Sequence, residues 1–365
     1  MSVKKRLKLS KSNIALLCSA GAKAPSGGNI QPWRVDAYDD RLIVSISPER
    51  SKSFLDVGKL ASAFSIGSFV ENVEIAANSL GLKVDINIET QKKPDDIIVV
   101  IKLVERIEDN HSSRTKLYSM IDKRVTNRNL SDGSLVENTH IDKLKSISAM
   151  GDGCKLYTCS TEKQKIIIAS ILGRADVVRT RNSTLFTQML DELRWSKDEV
   201  VKTKDGIDVS TLEMPKAAEK VLLMMKKFKF VSAMIPDRAF ADMTKPLIIN
   251  SSHVCCLSFK GKPTMQYLFN AGRVLQKLWL EATSLGLSVH PWTVLPFFIL
   301  RAKYFKENNF SEHEVKEVLD LDRDLRKVFG ISSPNQPIFI FRLSYAPNPT
   351  ARALRLSWDQ FTTIH

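Results

Sequence analysis

The stretch GSFVENVEIAANSLGL, Gly67–Leu82, returns late in the chain as GRVLQKLWLEATSLGL, Gly272–Leu287. The two copies share Gly67/Gly272, Ala77/Ala282 and the run Ser-Leu-Gly-Leu. Their apolar positions also coincide, at Phe69/Val274, Val70/Leu275, Val73/Leu278 and Ile75/Leu280. Helical spacing puts those side chains on one buried stripe, and the Gly of Leu-Gly-Leu suits a left-handed C-terminal cap. Strand-like stretches flank both copies: RLIVSIS (Arg41–Ser47) and KVDINI (Lys83–Ile88), then HVCCLSF (His253–Phe259) and SVHPW (Ser288–Trp292). Each half therefore reads as strand, buried helix, strand, one unit present twice. The rival reading is a chance likeness of two core helices.

A length of 365 residues is enough for two ordinary domains. With 43% apolar and 26% charged residues, the composition is that of a globular protein. The longest apolar run, TVLPFFIL (Thr293–Leu300), is interrupted by Pro296 and falls well short of the roughly 20 residues of a membrane span. The basic run KKRLK (Lys4–Lys8) and the patch IALLC (Ile14–Cys18) imitate a secretion signal, but the patch is shorter than a secretory core of about 7–15 residues. An amphipathic first helix and a cytoplasmic protein are expected. The five Cys are odd in number and lack metal-ligand spacing, so reduced thiols and no metal are expected. Adjacent Cys255 and Cys256 would point to opposite faces of a strand. The net charge of +14 favours anionic partners. No zinc-finger, RNA-binding or basic-zipper signature accompanies it, which favours a solvated basic surface over specific nucleic-acid binding.

Two motifs carry chemistry. In IDKRVTNRNLSDGSL (Ile121–Leu135), Arg124, Thr126 and Arg128 alternate, so an extended segment turns them to one face. Two guanidinium forks and a hydroxyl suit a phosphate; each charge-assisted hydrogen bond contributes about 1.5–3 kcal/mol. The bland reading is Arg residues capping a nearby helix. APSGGNIQPW (Ala24–Trp33) has the residue types of a turn. Its small residues, two amides and closing Trp also suit a loop that meets a ligand with its backbone.

Together these motifs resemble the nitroreductase family of flavin mononucleotide (FMN) enzymes. In that family an Arg-x-Ser/Thr-x-Arg/Lys segment binds the FMN phosphate, and a Ser-Pro-Ser-x-x-Asn-x-Gln-Pro-Trp segment from the other subunit lies along the flavin. Pro25, Ser26, Asn29, Gln31, Pro32 and Trp33 match the second pattern; Arg124, Thr126 and Arg128 match the first. The first half has the ring motif without the Arg segment. The second half has the Arg segment, with no ring-motif copy near FVSAMIPDR (Phe230–Arg238). The chain thus looks like a nitroreductase dimer fused into one polypeptide with a single flavin site, similar to the Acg-like fused branch. DELRWSKDEVVKTKDGIDVSTLEM (Asp191–Met214) and FRLSYAPNPTARALRL (Phe341–Leu356) agree with that branch, and the resemblance spans residues 14–356.

The resemblance implies an α+β, nitroreductase-like fold. Two related halves, 1–115 and 116–365, would pack as an intrachain pseudo-dimer, each a mainly antiparallel sheet flanked by helices. FMN would be held by Pro25, Ser26, Gly27, Asn29, Gln31, Arg124, Thr126 and Arg128. Thr293 and Val294 would offer backbone near flavin N5, with Val where the family usually has Gly; Arg352 or Arg355 would reach the phosphate. Asn29 and Gln31 would meet the ring's polar edge, Trp33 would anchor the loop in the core with stacking on the flavin as the other reading, and His290 is a structural His or a proton donor. The implied activity is ping-pong hydride transfer from NADH or NADPH through flavin N5 to a small-molecule acceptor such as a nitroaromatic or quinone. No residue is assigned as catalytic, because the flavin carries the chemistry. Residues 215–246, with Leu222, Met224 and Met225 beside Lys226, Lys227 and Lys229, suggest a lid; a basic helix at a membrane surface is the other reading. A lidded site also allows FMN storage with little turnover. The unit would be a monomer acting as a pseudo-dimer, or a homodimer.

Overall fold

Both repeated stretches are helical, and they cross each other. In the computed structural model, which describes residues 8–90, 97–106, 111–228, 238–305 and 309–365, the first half runs α1 (Lys11–Ala22), β1 (Trp33–Ala37), β2 (Arg41–Ile46), α2 (Leu60–Ser79), β3 (Leu82–Thr90), β4 (Ile97–Arg106) and α3 (His111–Ile121). The chain continues through α4 (Asn138–Ala149), β5 (Cys154–Cys159), α5 (Glu162–Arg181), α6 (Ser183–Asp191), β6 (Leu193–Arg194), α7 (Lys197–Thr203), β7 (Ile207–Asp208), α8 (Lys216–Lys227) and α9 (Arg238–Ile249). It closes with β8 (His253–Lys260), α10 (Met265–Ser284), β9 (Ser288–Trp292), α11 (Val294–Tyr304), α12 (Glu312–Phe329), β10 (Asn335–Ser344) and β11 (Thr362–Ile364).

The α+β arrangement expected from the sequence is present, built on two sheets of one plan. Their orders are β11-β1-β2-β4-β3 and β5-β8-β10-β9. Leaving β11 aside, every neighbouring pair in both is antiparallel, and first, second, fourth and third strands follow in the same order. The repeat helices α2 and α10 each span 20 residues and sit between the second and third strands of their sheets. Gly81 (φ 70°) and Gly286 (φ 74°) follow them in the left-handed region, as the Leu-Gly-Leu reading requires. In the second half, α5 to α9 are inserted between first and second strands, and α11 and α12 between third and fourth.

That insertion corrects one expectation. Connectivity places the second-half counterpart of Ala24–Trp33 between α4 and β5, at Met150–Gly153, and not near Phe230–Arg238. Residues 229–237 lie outside the described residues. The connection at Met150–Gly153 is only a tight turn.

The crossing of α2 and α10 leaves no room for side chains. A Cβ on Gly67 would stand under 3.0 Å from the Phe269 carbonyl, and one on Gly272 would stand equally close to the Phe64 carbonyl. Around this point Ser68 Oγ donates to Gly272 O (2.9 Å) and Gln276 Nε2 to Asn72 Oδ1 (2.6 Å). Buried Glu71 accepts from Arg273 (2.9 Å) and faces Lys277 (3.2 Å). Desolvation pushes the Glu71 carboxyl up, and these two cations oppose that shift. Cys255 and Cys256 do face opposite ways: Cys255 joins the core around α2 and α10, and Cys256 joins a second core with α5, α11 and α12. The C-terminal tail returns to the first half, where β11 pairs parallel with β1. Trp33 is buried between Phe69 (5.1 Å) and Phe361 (6.4 Å), an anchor for the loop that precedes it.

Either Gly67→Ala or Gly272→Ala must push backbone from backbone, so each is expected to destabilise by about 3 kcal/mol or more. Chemical denaturation of the single variants checks this; a loss under about 0.5 kcal/mol would contradict the close crossing.

Candidate functional site

Three segments from distant parts of the chain meet around one cavity of about 610 Å³, a size ordinary for a small-molecule site. The first is Ala24–Trp33. Its backbone turns sharply: Gly28, Asn29 and Gln31 have φ of 58°, 54° and 52°. Such values are strained for Asn and Gln, and side-chain bonds hold them in place. Ser26 Oγ accepts from Gln31 N (3.0 Å). The Gln31 amide donates to Lys204 O (2.8 Å) and accepts from Leu356 N (2.9 Å). Gln31 is therefore a buried strut and does not line the cavity. Asn29 does line it; its Nδ2 donates to Leu354 O (3.1 Å), while its buried Oδ1 has no hydrogen-bond partner. Pro25, Ser26 and Gly28 line it as well, and Gly27 does not.

The second segment leaves α3 and runs parallel to the edge of β9. Thr126 bridges Val289, and Asn127 N donates to Val289 O (3.0 Å). The alternation then sorts the side chains. Asn127 is buried on the far side, donating to Ser288 Oγ (2.9 Å) and Pro347 O (2.8 Å). Arg124, Thr126 and Arg128 all line the cavity. Arg124 lies over the Trp279 ring (4.7 Å) and donates to Lys23 O (2.8 Å).

The tail supplies the third segment, Ala351–Trp358. The Arg352 guanidinium donates to the carbonyls of Asp122, Lys123 and Arg124, fastening the tail to the second segment. Arg355 donates through Nη1 to Leu354 O (3.1 Å), also lines the cavity, and has a buried Nε without a partner; the same holds for Nε of Arg124. Burial, with the charges of Arg355 and Arg352, pushes Arg124 down to about 9. Burial and Arg352 bring Arg355 down to about 10; burial brings Arg128 to about 10 against the pull of Glu213. The one carboxylate among the lining residues, Asp122, is exposed and paired with Lys23 (3.2 Å). Crowded guanidiniums with unused donors have the chemistry to take an anion with several acceptor oxygens. The orphaned Asn29 oxygen adds a free acceptor to the same cavity.

A cap built from the insertion closes one side. Gly206, Ile207 and Thr211 line the cavity, ahead of the expected lid at 215–246. The cap has its own small core of Phe186, Leu190, Leu193, Val209, Leu222 and Met225. Of the Met-rich face, Leu222 and Met225 enter this core, and Met224 is exposed. Arg128 donates to Thr211 O (2.9 Å), Arg50 pairs with Asp205 (3.3 Å), and Thr350 N donates to Glu213 (2.6 Å). Thr293 and Val294 begin α11 and do not line the cavity; the left-handed backbone that a Gly would permit is absent at Val294. His290 is buried, accepts at Nδ1 from Arg342 Nε (3.3 Å), and is held well below its usual pKa by burial, Arg128 and Arg342. It is a neutral structural group. Sequence reading missed Asn127, Lys23 and the Glu213–Thr350 clasp; only the position of Asn127 between alternating Arg residues signals its inward turn.

No protein-family model matches the chain. A curated relative, Uncharacterized protein MT1398 of Mycobacterium tuberculosis (strain CDC 1551 / Oshkosh), is 26% identical over 343 residues, which is 93% of this chain and 47% of the relative. The chain thus spans about half the length of the curated relative it matches. Among solved structures, it is similar to the FMN-dependent nitroreductase NfnB from Mycobacterium smegmatis in complex with NADPH, with TM-score 0.41 and 11% identity over 70% of this chain and 100% of that one. A nitroreductase with bound FMN from Desulfitobacterium hafniense DCB-2 gives TM-score 0.36 and 9% identity over 68% and 98%.

The two glycines of the first segment differ. A Cβ on Gly27 meets nothing within 4 Å, whereas Gly28 is left-handed and a Cβ there would lie 3.2 Å from the Glu192 carboxyl carbon. Gly27→Ala should change stability by less than about 0.5 kcal/mol, and Gly28→Ala should lower it by about 1–2 kcal/mol. Thermal unfolding of both variants compares them; equal effects would contradict the loop geometry.

Proposed function

We propose that the chain is an FMN-dependent oxidoreductase of the nitroreductase type. On this reading a duplicated unit, expected as 1–115 and 116–365 but with its junction after α3 because that helix runs through 115/116, does within one polypeptide what two subunits do in relatives. The carrying observation is the convergence of Arg124, Thr126, Arg128 and Arg355 with Asn29 on one cavity, three of them with unused buried polar atoms. The donor set fits a phosphate monoester; Arg124 and Arg355 would hold it, with Arg128 and the Thr126 hydroxyl beside them. Asn29 and the Pro25–Gly28 backbone would face the polar remainder of the cofactor. When bound, the flavin supplies two-electron chemistry between a reduced nicotinamide, NADH or NADPH, and a small acceptor such as a nitroaromatic or quinone. The chain's own task is to bind, orient and exclude water. With Met150–Gly153 reduced to a turn, the second half has no loop to build a like site, so one cofactor per chain follows.

Arg124→Ala with Arg355→Ala removes two charge-assisted contacts and should weaken FMN binding at least about 100-fold, read from the flavin absorbance retained after gel filtration. A folded double variant that stays as yellow as the parent sinks the phosphate assignment.

One observation favours a second reading, FMN storage with little turnover. The cap forms a wall of the cavity and is tied to the first two segments through Gln31 and Arg128, and to Thr350 just ahead of the third. Anaerobic mixing of the FMN-loaded protein with NADH or NADPH separates the two. Bleaching of the flavin absorbance is expected for the reductase, and persistent colour with either donor would leave storage standing.

A further inference from the structure

The outer side of α8 contrasts with the side that enters the cap. Inward, Leu222 and Met225 pack with Phe186, Leu190 and Leu193. Outward, Ala217, Val221, Met224 and Phe228 are exposed, the last three by 42%, 50% and 49%. At about 3.6 residues per turn Ala217, Val221 and Met224 fall on one narrow arc of the helix, and Lys216, Lys220 and Lys227 fall on the adjoining arc; Phe228 follows the last turn in extended backbone. All three lysines are exposed, and among the described residues none of them pairs with a carboxylate. Lys226 is differently placed, over the Trp195 ring (5.5 Å).

Three of the cap's acids point the other way, while Asp191 and Asp198 are exposed. Glu192 meets Arg179 (3.5 Å) and Ser53 (3.2 Å), Asp205 meets Arg50 and Arg194, and Glu213 meets Thr350. Glu192, Asp205 and Glu213 thus fasten the cap inward, while on α8 three lysines beside an apolar stripe face out, with Glu219 the acid of that helix. No helix among the described residues is long and apolar enough to cross a membrane, so any engagement of a bilayer by α8 is lateral.

We propose that the outer face of α8 docks the protein on an anionic lipid surface. Val221 and Met224 would enter the boundary between headgroups and acyl chains, with Lys216, Lys220 and Lys227 on the lipid phosphates. Charge complementarity chooses an anionic surface, and the apolar stripe chooses lipid over nucleic acid. A nucleic-acid backbone would engage the lysines and leave the stripe in water. This role is independent of the cofactor and lies beyond the oxidoreductase reading.

Sedimentation of the full chain with phosphatidylcholine vesicles, with and without about 30% phosphatidylglycerol, tests it. Binding to the anionic vesicles should be at least about tenfold stronger and should be lost near about 0.5 M salt. Lys216→Glu with Lys220→Glu and Lys227→Glu should lower it at least about tenfold. Met224→Asp, on the exposed arc, should lower it as well, with circular dichroism unchanged. No sedimentation, equal binding to both vesicles, or full binding by the lysine variant overturns the proposal. So does a lysine-dependent shift of duplex DNA that Met224→Asp leaves intact, which would assign the face to nucleic acid.

Discussion

The contact between Gly67 and Gly272 is the constraint on which the rest of the structure depends. Each glycine lies against a carbonyl of the opposite helix, Phe269 for one and Phe64 for the other. These four residues are equivalent positions of the two repeats, so the contact is reciprocal, as in a symmetric dimer interface. Close approach lets Ser68, Asn72 and Gln276 bond across the seam and buries Glu71 between Arg273 and Lys277. A buried charge so placed is tolerable only because its partners are fixed by the same crossing. A side chain at either glycine would separate the helices and unmake all of these contacts together.

The candidate site follows from that crossing. Trp279 on α10 lies beneath Arg124, and Phe69 on α2 packs against Trp33 at the end of the first-segment loop. The helix pair thus fixes how far the loop stands from the arginines. The tail then closes the arrangement. It pins the second segment through Arg352, bonds Asn29 and Gln31 through its backbone, and ends as a strand on β1. Arg124, Arg352 and Arg355 are pressed together, and their mutual repulsion costs stability. An anion relieves that repulsion, so folding and ligand binding reinforce each other here.

Much of this was legible because it rests on local periodicity. The apolar stripe gave both repeat helices, Leu-Gly-Leu marked their ends, and alternation along Arg124–Arg128 put three side chains on one face. What the sequence hid was decided by distant partners. Gln31 is chemically able to face a ligand, yet Lys204 and Leu356 take its amide. Thr293 and Val294 are drawn into the start of α11 and away from the cavity. The insertion folds around its own small core, which brings Gly206–Thr211, and not the Met-rich helix after it, to the cavity wall. The offset of the repeat helices points to Phe230–Arg238 for the missing second loop. The intervening insertion had moved its counterpart back to Met150–Gly153.

The central claim is that the two halves build one phosphate-recognising flavin site between them. Titrating the cofactor-free protein with FMN, and separately with riboflavin, tests it most directly through flavin fluorescence. The account predicts saturation at one FMN per chain and riboflavin binding weaker by at least about 100-fold. Two equivalents per chain, or equal affinity for the two flavins, would contradict it.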